Sequence, residues 1–217
     1  MEAPKIDLKG NKKILLLLLA LVVAIILGTF LMNNGQFSSN NLLPTTDTYT
    51  KPEDVLEEGI DYKIVLKTTA GDIKIDLFED ETPITVNNII FLIGKGYYED
   101  VTFHRVVKGF VIQTGDPTGT GSGNPGYSIK DEITDREYEA YSVGMANSGP
   151  NTNGSQFFIT SGSITQGNID ALNGGYTLFG RVIEGFAVVD SIERVAVDGN
   201  DKPVNDVVIE SIQILED

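Results

Sequence analysis

One arginine stands among large apolar side chains in a stretch that has the composition of a β-strand. Residues 103–116 read FHRVVKGFVIQTGD. If residues 103–107 are extended, their side chains alternate between two faces, and Arg105 shares a face with Phe103 and Val107. The guanidinium then has two possible roles. Its stem covers the edge of the core while its head stays in water, or its planar, permanently charged fork is held in place to act on a ligand.

A second stretch, residues 145–160, again places amides beside aromatic rings. It reads MANSGPNTNGSQFFIT, with Asn147 and Gln156 near the pair Phe157-Phe158. Two such segments, roughly forty residues apart, are expected to form two walls of one pocket, mainly apolar with a few polar groups aimed inward. This second wall favours the interpretation in which the arginine acts on a ligand.

The composition excludes several classes of catalytic site. The chain has no Cys and a single His, which excludes disulfides, thiolate zinc sites, cysteine nucleophiles and multi-histidine metal sites. We therefore expect no metal and no other cofactor. The net charge of -15 argues against nucleic acid as a partner, because that affinity comes from Lys and Arg on phosphates.

Two polar residues near the candidate site motifs are assigned structural roles. His104 has no Ser or Cys elbow beside it and is predicted to face away from Arg105, so we expect a buried, hydrogen-bonded histidine. Arg181 lies in a predicted strand and is expected to form a structural ion pair.

The acidic and glycine-rich segments between the two walls predict loops. Asp116 and the pair Asp131-Glu132 are expected to be solvated in turns. The run at residues 118–126, TGTGSGNPG, lacks the Gly-Lys-Ser/Thr ending of a phosphate-binding loop. It predicts a long surface loop whose glycines permit positive φ.

Three motifs together resemble those of the cyclophilins, the peptidyl-prolyl cis-trans isomerases. They are the two stretches above and LFGRVIEG at residues 178–185, and they occur in the family's order. The resemblance covers roughly residues 62–215 and leaves out the first sixty. It implies a mainly β fold, a closed eight-stranded antiparallel β-barrel capped by two α-helices, with a peptide groove on the outer wall. The chain looks like a membrane-anchored, prokaryotic-like member.

The resemblance also implies a role for individual residues. Arg105 would be the catalytic cation, Gln113 would hold it and a substrate carbonyl, and Asn147 would pair with substrate backbone. The implied catalytic set is Arg105, Phe110 and Gln113, and the implied substrate-binding set is Val111, Ala146, Asn147, Gln156, Phe158, Leu172 and Tyr176. Phe110, Val111, Phe158 and Leu172 would line the proline slot. Three positions depart from the animal-type pattern: Val111 stands where Met is common, Ala171 where many members have Trp, and Tyr176 where many have His.

The elements that must position these residues can be read from the pattern alone. Strands at residues 63–69 and 73–78 alternate around a turn and predict a hairpin. Thr82-Pro83 predicts the start of a helix that ends near Gly94, and residues 186–192 predict a second helix. A final strand is predicted at residues 207–215. Many strands with two distant helices favour a closed antiparallel barrel with helical caps.

The N-terminal part predicts a membrane anchor. Residues 1–13 are short and basic, and residues 14–32 contain no charge, which is about the length that spans a bilayer as a helix. The alternative, a cleaved signal peptide, is disfavoured because no A-x-A-like site follows. The lysines before the segment predict a cytoplasmic N-terminus, and place the later residues outside the cytoplasmic membrane in a single-pass topology.

Two further segments complete the predicted organisation. Residues 33–59 predict a flexible linker, with a possible short helical turn at 52–58, and residues 60–217 predict the isomerase domain. The predicted function is a monomeric, membrane-tethered isomerase that acts on proline-containing chains and assists the folding of exported or membrane proteins. Two alternatives remain open: a non-catalytic proline-peptide binding module on the same tether, and a structural domain of an envelope assembly.

Overall fold

A computed structural model describes residues 49–216 of the chain. The predicted anchor at residues 14–32 and most of the predicted linker lie outside the described residues. Within residues 49–216, no helix has both the length and the apolar character needed to cross a bilayer. The proposed boundaries of the four segments stay predictions.

The described residues form one nine-stranded antiparallel sheet with three helices. The strands are β1 (Tyr62–Thr68), β2 (Gly71–Leu77), β3 (Val101–Thr102), β4 (Arg105–Val107), β5 (Val111–Thr114), β6 (Ser142–Met145), β7 (Phe157–Thr160), β8 (Leu178–Glu184) and β9 (Val208–Glu216). Their order across the sheet is β3-β9-β1-β2-β8-β6-β7-β5-β4. The helices are α1 (Pro83–Gly94), α2 (Gln166–Leu172) and α3 (Phe186–Glu193). The prediction of a mainly β, antiparallel fold is confirmed.

The prediction of a closed eight-stranded barrel is wrong in its strand count and in its closure. The sheet has nine strands, and β3 and β4 at its two edges do not pair with each other. Both edge strands are very short. Backbone carbonyls in the connection before β9 accept hydrogen bonds from amides in and beside these strands. Val106 N donates to Asp201 O at 2.8 Å, and Phe103 N donates to Val207 O at 2.9 Å. The curled sheet is therefore bridged by a loop rather than closed by a ladder.

The predicted hairpin is confirmed as β1 and β2, and its alternation sets the core. The inward face carries Ile64, Leu66, Ile73 and Ile75, all buried. The paired register runs from Lys63 opposite Asp76 to the turn at Thr68 and Gly71. Because strand side chains alternate with a period of two, this register puts all four apolar side chains on one face.

Helix α1 begins at the predicted proline, but its cap comes from a distant residue. The Thr82 hydroxyl donates to Phe78 O at 3.0 Å and makes no capping bond. The Glu132 carboxylate accepts from Ile84 N at 3.0 Å and from Thr85 N at 2.8 Å. Glu132 therefore satisfies the first amides of α1 and matches the positive end of the helix dipole. The expectation that Glu132 is simply solvated is wrong.

Helix α2 was not predicted. It is seven residues long, it contains Gly167, and only Leu172 among its side chains is buried. A helix this short and exposed has no apolar periodicity, which is the main sequence signal for helices. Its start is marked instead by Thr165, whose side chain accepts from Asn168 N. The second predicted helix is confirmed as α3.

Residues 49–60, here called the strap, lie against α1. The Tyr49 ring meets the Phe91 ring edge to face, with centroids 5.4 Å apart. The Asn87 side chain accepts from Val55 N at 2.8 Å and Leu56 N at 3.3 Å, and donates to Glu53 O at 2.9 Å. The possible helical turn at residues 52–58 is not formed, because this segment directs its backbone groups to Asn87.

From the hydrogen bonds between Asn87 and the strap, we expect Asn87 to support the stability of the domain. Asn87→Ala removes the side-chain partner of three backbone groups, so the free energy of unfolding should fall by about 1 kcal/mol. Asn87→Asp keeps the two bonds in which the side chain accepts, so its free energy of unfolding should fall by less. Denaturant unfolding of the three proteins measures both effects. Equal stability of the alanine variant and the wild type would contradict the role given to the strap.

Candidate active site

Two strand pairings bring the predicted catalytic residues together. In the β4–β5 pair, Arg105 lies opposite Gln113. In the β5–β7 pair, Gln113 lies opposite Phe158. Directly opposed residues of antiparallel strands have side chains on the same face. The arginine, the amide and the ring therefore form one row across three neighbouring strands.

A chain of hydrogen bonds runs from the arginine to the glycine-rich loop. Arg105 Nη1 donates to Gln113 Oε1 at 3.4 Å, and Gln113 Nε2 donates to Gln156 Oε1 at 3.0 Å. Gln156 Nε2 in turn donates to the carbonyls of Gly121 at 3.0 Å and Gly123 at 2.9 Å. The bond to Arg105 is long, so it orients the guanidinium weakly and leaves most of its five donors for a ligand.

Nine of the ten predicted site residues line one small cavity of about 170 Å³. They are Arg105, Phe110, Val111, Gln113, Ala146, Asn147, Phe158, Leu172 and Tyr176. The tenth, Gln156, lines an adjoining polar cavity of about 510 Å³, which shares Gln113, Ala146 and Asn147 with the first. The structure thus gathers all the predicted residues at one place, and their individual roles stay predictions.

The floor of the small cavity is an aromatic cluster that includes a residue the sequence did not mark. Phe158 stacks on Tyr138, with centroids 5.9 Å apart, and meets the edge of Tyr176 at 5.8 Å. Tyr138 fits only because Gly144 lies beside it, since a Cβ on Gly144 would come within 2.0 Å of the Tyr138 hydroxyl. Tyr138 lies in a segment without strand or helix, so no periodicity points to it.

Asp116 organises the glycine-rich loop, so the expectation that it is solvated is wrong. Its side chain is fully buried. Its carboxylate accepts from the amides of Thr118 at 2.7 Å, Thr120 at 3.1 Å and Gly121 at 2.6 Å. Burial raises its pKa, but the hydrogen bonds from Thr118, Gly121 and Gly123 outweigh burial and lower the pKa below its ordinary value. An Asp followed by Pro117 and then by a Thr- and Gly-rich run was a signal for such a turn.

Two other polar residues are already engaged within the protein. The Asn147 side chain donates to Gly175 O at 3.0 Å and accepts from Gly149 N at 3.2 Å. Arg181 forms an ion pair with Asp76 at 3.4 Å, which confirms the structural role predicted for it.

Within residues 49–216, no cluster of three or more His, Cys, Asp or Glu side chains could hold a metal ion.

His104 is buried as predicted, but it is not hydrogen-bonded. It is 7% exposed, and neither ring nitrogen has a hydrogen-bond partner among the described residues. Burial lowers its pKa below 6.5, the carboxylate of Asp116 opposes this shift, and the positive charges of Arg105 and Lys202 add to it. The imidazole is therefore neutral at pH 7 and gives the site no second positive charge.

Comparison with known proteins identifies the family of the chain. The family model described as "Cyclophilin type peptidyl-prolyl cis-trans isomerase/CLD" matches residues 63–214. The chain belongs to the cyclophilin family. It is therefore a peptidyl-prolyl cis-trans isomerase by class. The matched range contains all the residues that line the two cavities.

Relatives come from both bacteria and eukaryotes. Peptidyl-prolyl cis-trans isomerase A of Mycobacterium tuberculosis is 46% identical over 169 residues, which cover 69% of this chain and 90% of the relative. Peptidyl-prolyl cis-trans isomerase-like 3 of Rattus norvegicus is 46% identical over 159 residues, which cover 70% of this chain and 94% of the relative. A solved cyclophilin-type isomerase of Cryptosporidium parvum has a TM-score of 0.67 at 39% identity, covering 72% of this chain and 99% of that one. The same protein in the presence of the dipeptide Ala-Pro gives 0.66.

The state of His104 predicts a specific pH dependence of stability. Its pKa is lower in the folded chain than in the unfolded chain, so the unfolded chain binds more protons as the pH falls below about 6.5. Stability is therefore full above that pH and is lost as the pH falls toward the lowered pKa. The slope between about pH 5 and 6.5 should be positive and at most about 1.4 kcal/mol per pH unit.

His104→Gln isolates this effect, because the chain contains no other histidine. The free energy of unfolding of this variant should lose the positive slope of the histidine between about pH 5 and 6.5, and the raised pKa of Glu79 can add only a slope of opposite sign. Denaturant unfolding at several pH values measures both slopes. A wild-type stability that is constant across this range would contradict a lowered histidine pKa.

Proposed function

We propose that this cyclophilin isomerises X-Pro bonds of polypeptide chains in the small cavity, with Arg105 as the catalytic cation. The observation that carries the proposal is the row of Arg105, Gln113 and Phe158 across β4, β5 and β7. It places one cation and one amide directly beside an apolar slot of about 170 Å³. The Cryptosporidium parvum relative, solved in the presence of Ala-Pro, supports a proline peptide as the ligand.

The reaction needs only the groups that this cavity offers. Rotation about an X-Pro bond meets a barrier of about 18–20 kcal/mol, because amide resonance must be broken. No covalent bond is formed or broken and no proton has to leave. As the prolyl nitrogen loses conjugation it becomes pyramidal and gains a basic lone pair. An N–H donor that meets this lone pair stabilises the twisted state more than the planar one.

Arg105 is suited to be that donor. Its guanidinium carries a delocalised positive charge and keeps a fixed planar geometry. It is half-buried on β4, and the Gln113 side chain accepts from one of its nitrogens. His104 is neutral, so Arg105 is the cation among the residues that line the cavity. The lone pair that develops on the prolyl nitrogen during rotation would therefore meet the guanidinium of Arg105.

The remaining cavity residues would hold the substrate. The rings of Phe110 and Phe158, with Val111 and Leu172, would enclose the proline ring in both the planar and the twisted state. Gln113 would hold a substrate carbonyl as well as the arginine. Because the Asn147 side chain is engaged by Gly175 and Gly149, contact with substrate backbone would fall to its main chain.

Substitution of Arg105 tests this proposal. Arg105→Ala should lower kcat/KM for a proline peptide roughly 10²–10³-fold, or about 2.7–4 kcal/mol, because one preorganised transition-state donor is lost. Arg105→Lys should be almost as damaging, since an ammonium lacks the planar fork. Peptide binding in the ground state should change little. The measurement is an exchange assay on a proline peptide, with a separate binding titration.

Arg181→Ala is the matched control, because it removes an arginine that forms an ion pair with Asp76 and, among the described residues, does not line the cavity. It should leave the exchange rate unchanged. Thermal melts show whether each variant is folded. A folded Arg105→Ala protein that isomerises at nearly the wild-type rate would remove the arginine from the mechanism. A wild-type chain that binds proline peptides without exchange would instead support the non-catalytic binding module.

We further propose that the isomerase acts outside the cytoplasmic membrane as a single-pass, membrane-anchored monomer. The support lies in the sequence: residues 14–32 carry no charge and the lysines precede them. The first 32 residues carry a charge of +2, which leaves -17 on the rest, so anionic lipids would repel the domain. The clients would be exported or membrane proteins, in a prokaryotic-like setting.

Protease treatment of bacterial cells that express the full chain tests the topology. In spheroplasts, external protease should digest the isomerase domain, because the domain would lie outside the membrane. Residues 14–32 should stay with the membrane fraction. Lysed cells provide the control that the domain can be digested at all. Full protection in spheroplasts, with digestion after lysis, would place the domain in the cytoplasm.

A further inference from the structure

One buried carboxylate is not used by the mechanism above. Glu193 lies at the end of α3 and is 7% exposed. Its Oε1 accepts from Gly109 N at 2.7 Å and from the Ser163 hydroxyl at 3.2 Å. No Lys or Arg among the described residues forms an ion pair with it. Removing a carboxylate from water is costly unless it is hydrogen-bonded, so these two bonds are what stabilises Glu193 in this place.

The residue that Glu193 holds comes directly before a wall of the catalytic cavity. Gly109 has a φ of 73°, which favours glycine, and it precedes Phe110. A Cβ built on Gly109 would meet no atom within 4 Å. The side of the turn where a Cβ would lie is therefore open, and the backbone of Gly109 is held by hydrogen bonds from two other parts of the chain.

Both peptide groups of Gly109 are bonded to helices. Glu193 of α3 accepts from its N–H, and Asn168 of α2 donates through Nδ2 to its carbonyl at 3.2 Å. Phe110 is held on both sides as well: its N donates to Val107 O at 3.0 Å, and its O accepts from Ser161 N at 2.8 Å. Two helices and one loop thus converge on a two-residue segment of the cavity wall.

We infer that Glu193 and Asn168 are positioning residues that fix the Gly109 turn and, through it, the Phe110 ring in the proline slot. The inference rests on the function proposed above. The bond from Gly109 to a carboxylate is charge-assisted, which makes it shorter and stronger than a bond between neutral groups. The helix α2 thereby contributes twice, since its Leu172 lines the same cavity. Neither residue touches the reacting atoms.

Loss of the hydrogen bonds from Glu193 and Asn168 to Gly109, here called the brace, should weaken both peptide binding and turnover. The ring of Phe110 meets the proline in the planar and in the twisted state, so a displaced ring affects KM as well as kcat. A misplacement of about 1 Å can cost up to about 100-fold in rate. This pattern differs from that of Arg105→Ala, which should leave ground-state binding almost unchanged.

The test uses the full chain with four substitutions. Glu193→Ala should lower kcat/KM by about 10- to 100-fold and weaken peptide binding, whereas Glu193→Gln keeps the acceptor oxygen and should stay within about threefold of wild type. Asn168→Ala and Asn168→Asp both remove the donor to Gly109 O and should be impaired to a similar degree. Thermal melts accompany every rate, and the Asn168 variants test the inference if Glu193→Ala does not fold.

The amide of Gly109 gives a second measurement that does not depend on activity. In the wild type its N–H should resonate downfield and exchange slowly with solvent, because it bonds to a buried carboxylate. Glu193→Ala should shift it upfield and speed its exchange, and Glu193→Gln should restore slow exchange. If the wild type shows no isomerase activity, the proposed function fails, while this signal still reports on the brace.

Two results would overturn the inference. One is folded Glu193→Ala and Asn168→Ala proteins with wild-type kcat/KM and peptide affinity. The other is a Glu193→Gln protein that keeps slow exchange of the Gly109 amide and is still as impaired as Glu193→Ala, since the turn would then be held and the charge itself would be what the enzyme needs.

Discussion

The backbone pairing of β5, with β4 on one side and β7 on the other, is the constraint on which the site depends. It sets Gln113 opposite Arg105 and also opposite Phe158. A slip of one residue in either pairing would turn the affected side chains to the other face of the sheet. The cation, the amide and the ring would then no longer share a cavity. The rest of the structure can be understood as holding this row in place and closing the space around it.

Carboxylates do much of that work, through backbone amides rather than through cations. Asp116 accepts from the glycine-rich loop, Glu132 accepts from the first turn of α1, and Glu193 accepts from the turn before Phe110. For Asp116, the hydrogen bonds lower the pKa although the side chain is buried. In a chain with a net charge of -15, some of the acidic surplus therefore organises the loops around the site.

The site and its surroundings differ in how far they could be predicted. The hairpin of β1 and β2, the start of α1 and helix α3 follow local patterns of alternation, proline placement and apolar spacing. The residues of the cavity could be named because three motifs resemble a family. Helix α2 has neither signal, since it is short and buries a single side chain. Tyr138 also escaped prediction, because its place behind Phe158 depends on the space left by Gly144 on another strand.

The sequence by itself indicated the hairpin of β1 and β2 and an extended segment around Arg105, because alternation and residue type act over a few neighbours along the chain. It also determined that the reaction needs neither thiolate nor multi-histidine metal chemistry. Only the tertiary structure decided which backbone amides each carboxylate accepts hydrogen bonds from. Glu132 and Thr85 are 47 residues apart, and Glu193 and Gly109 are 84 apart. Local sequence holds no record of such partners, since each bond joins residues that are distant in the chain and adjacent only in the folded structure.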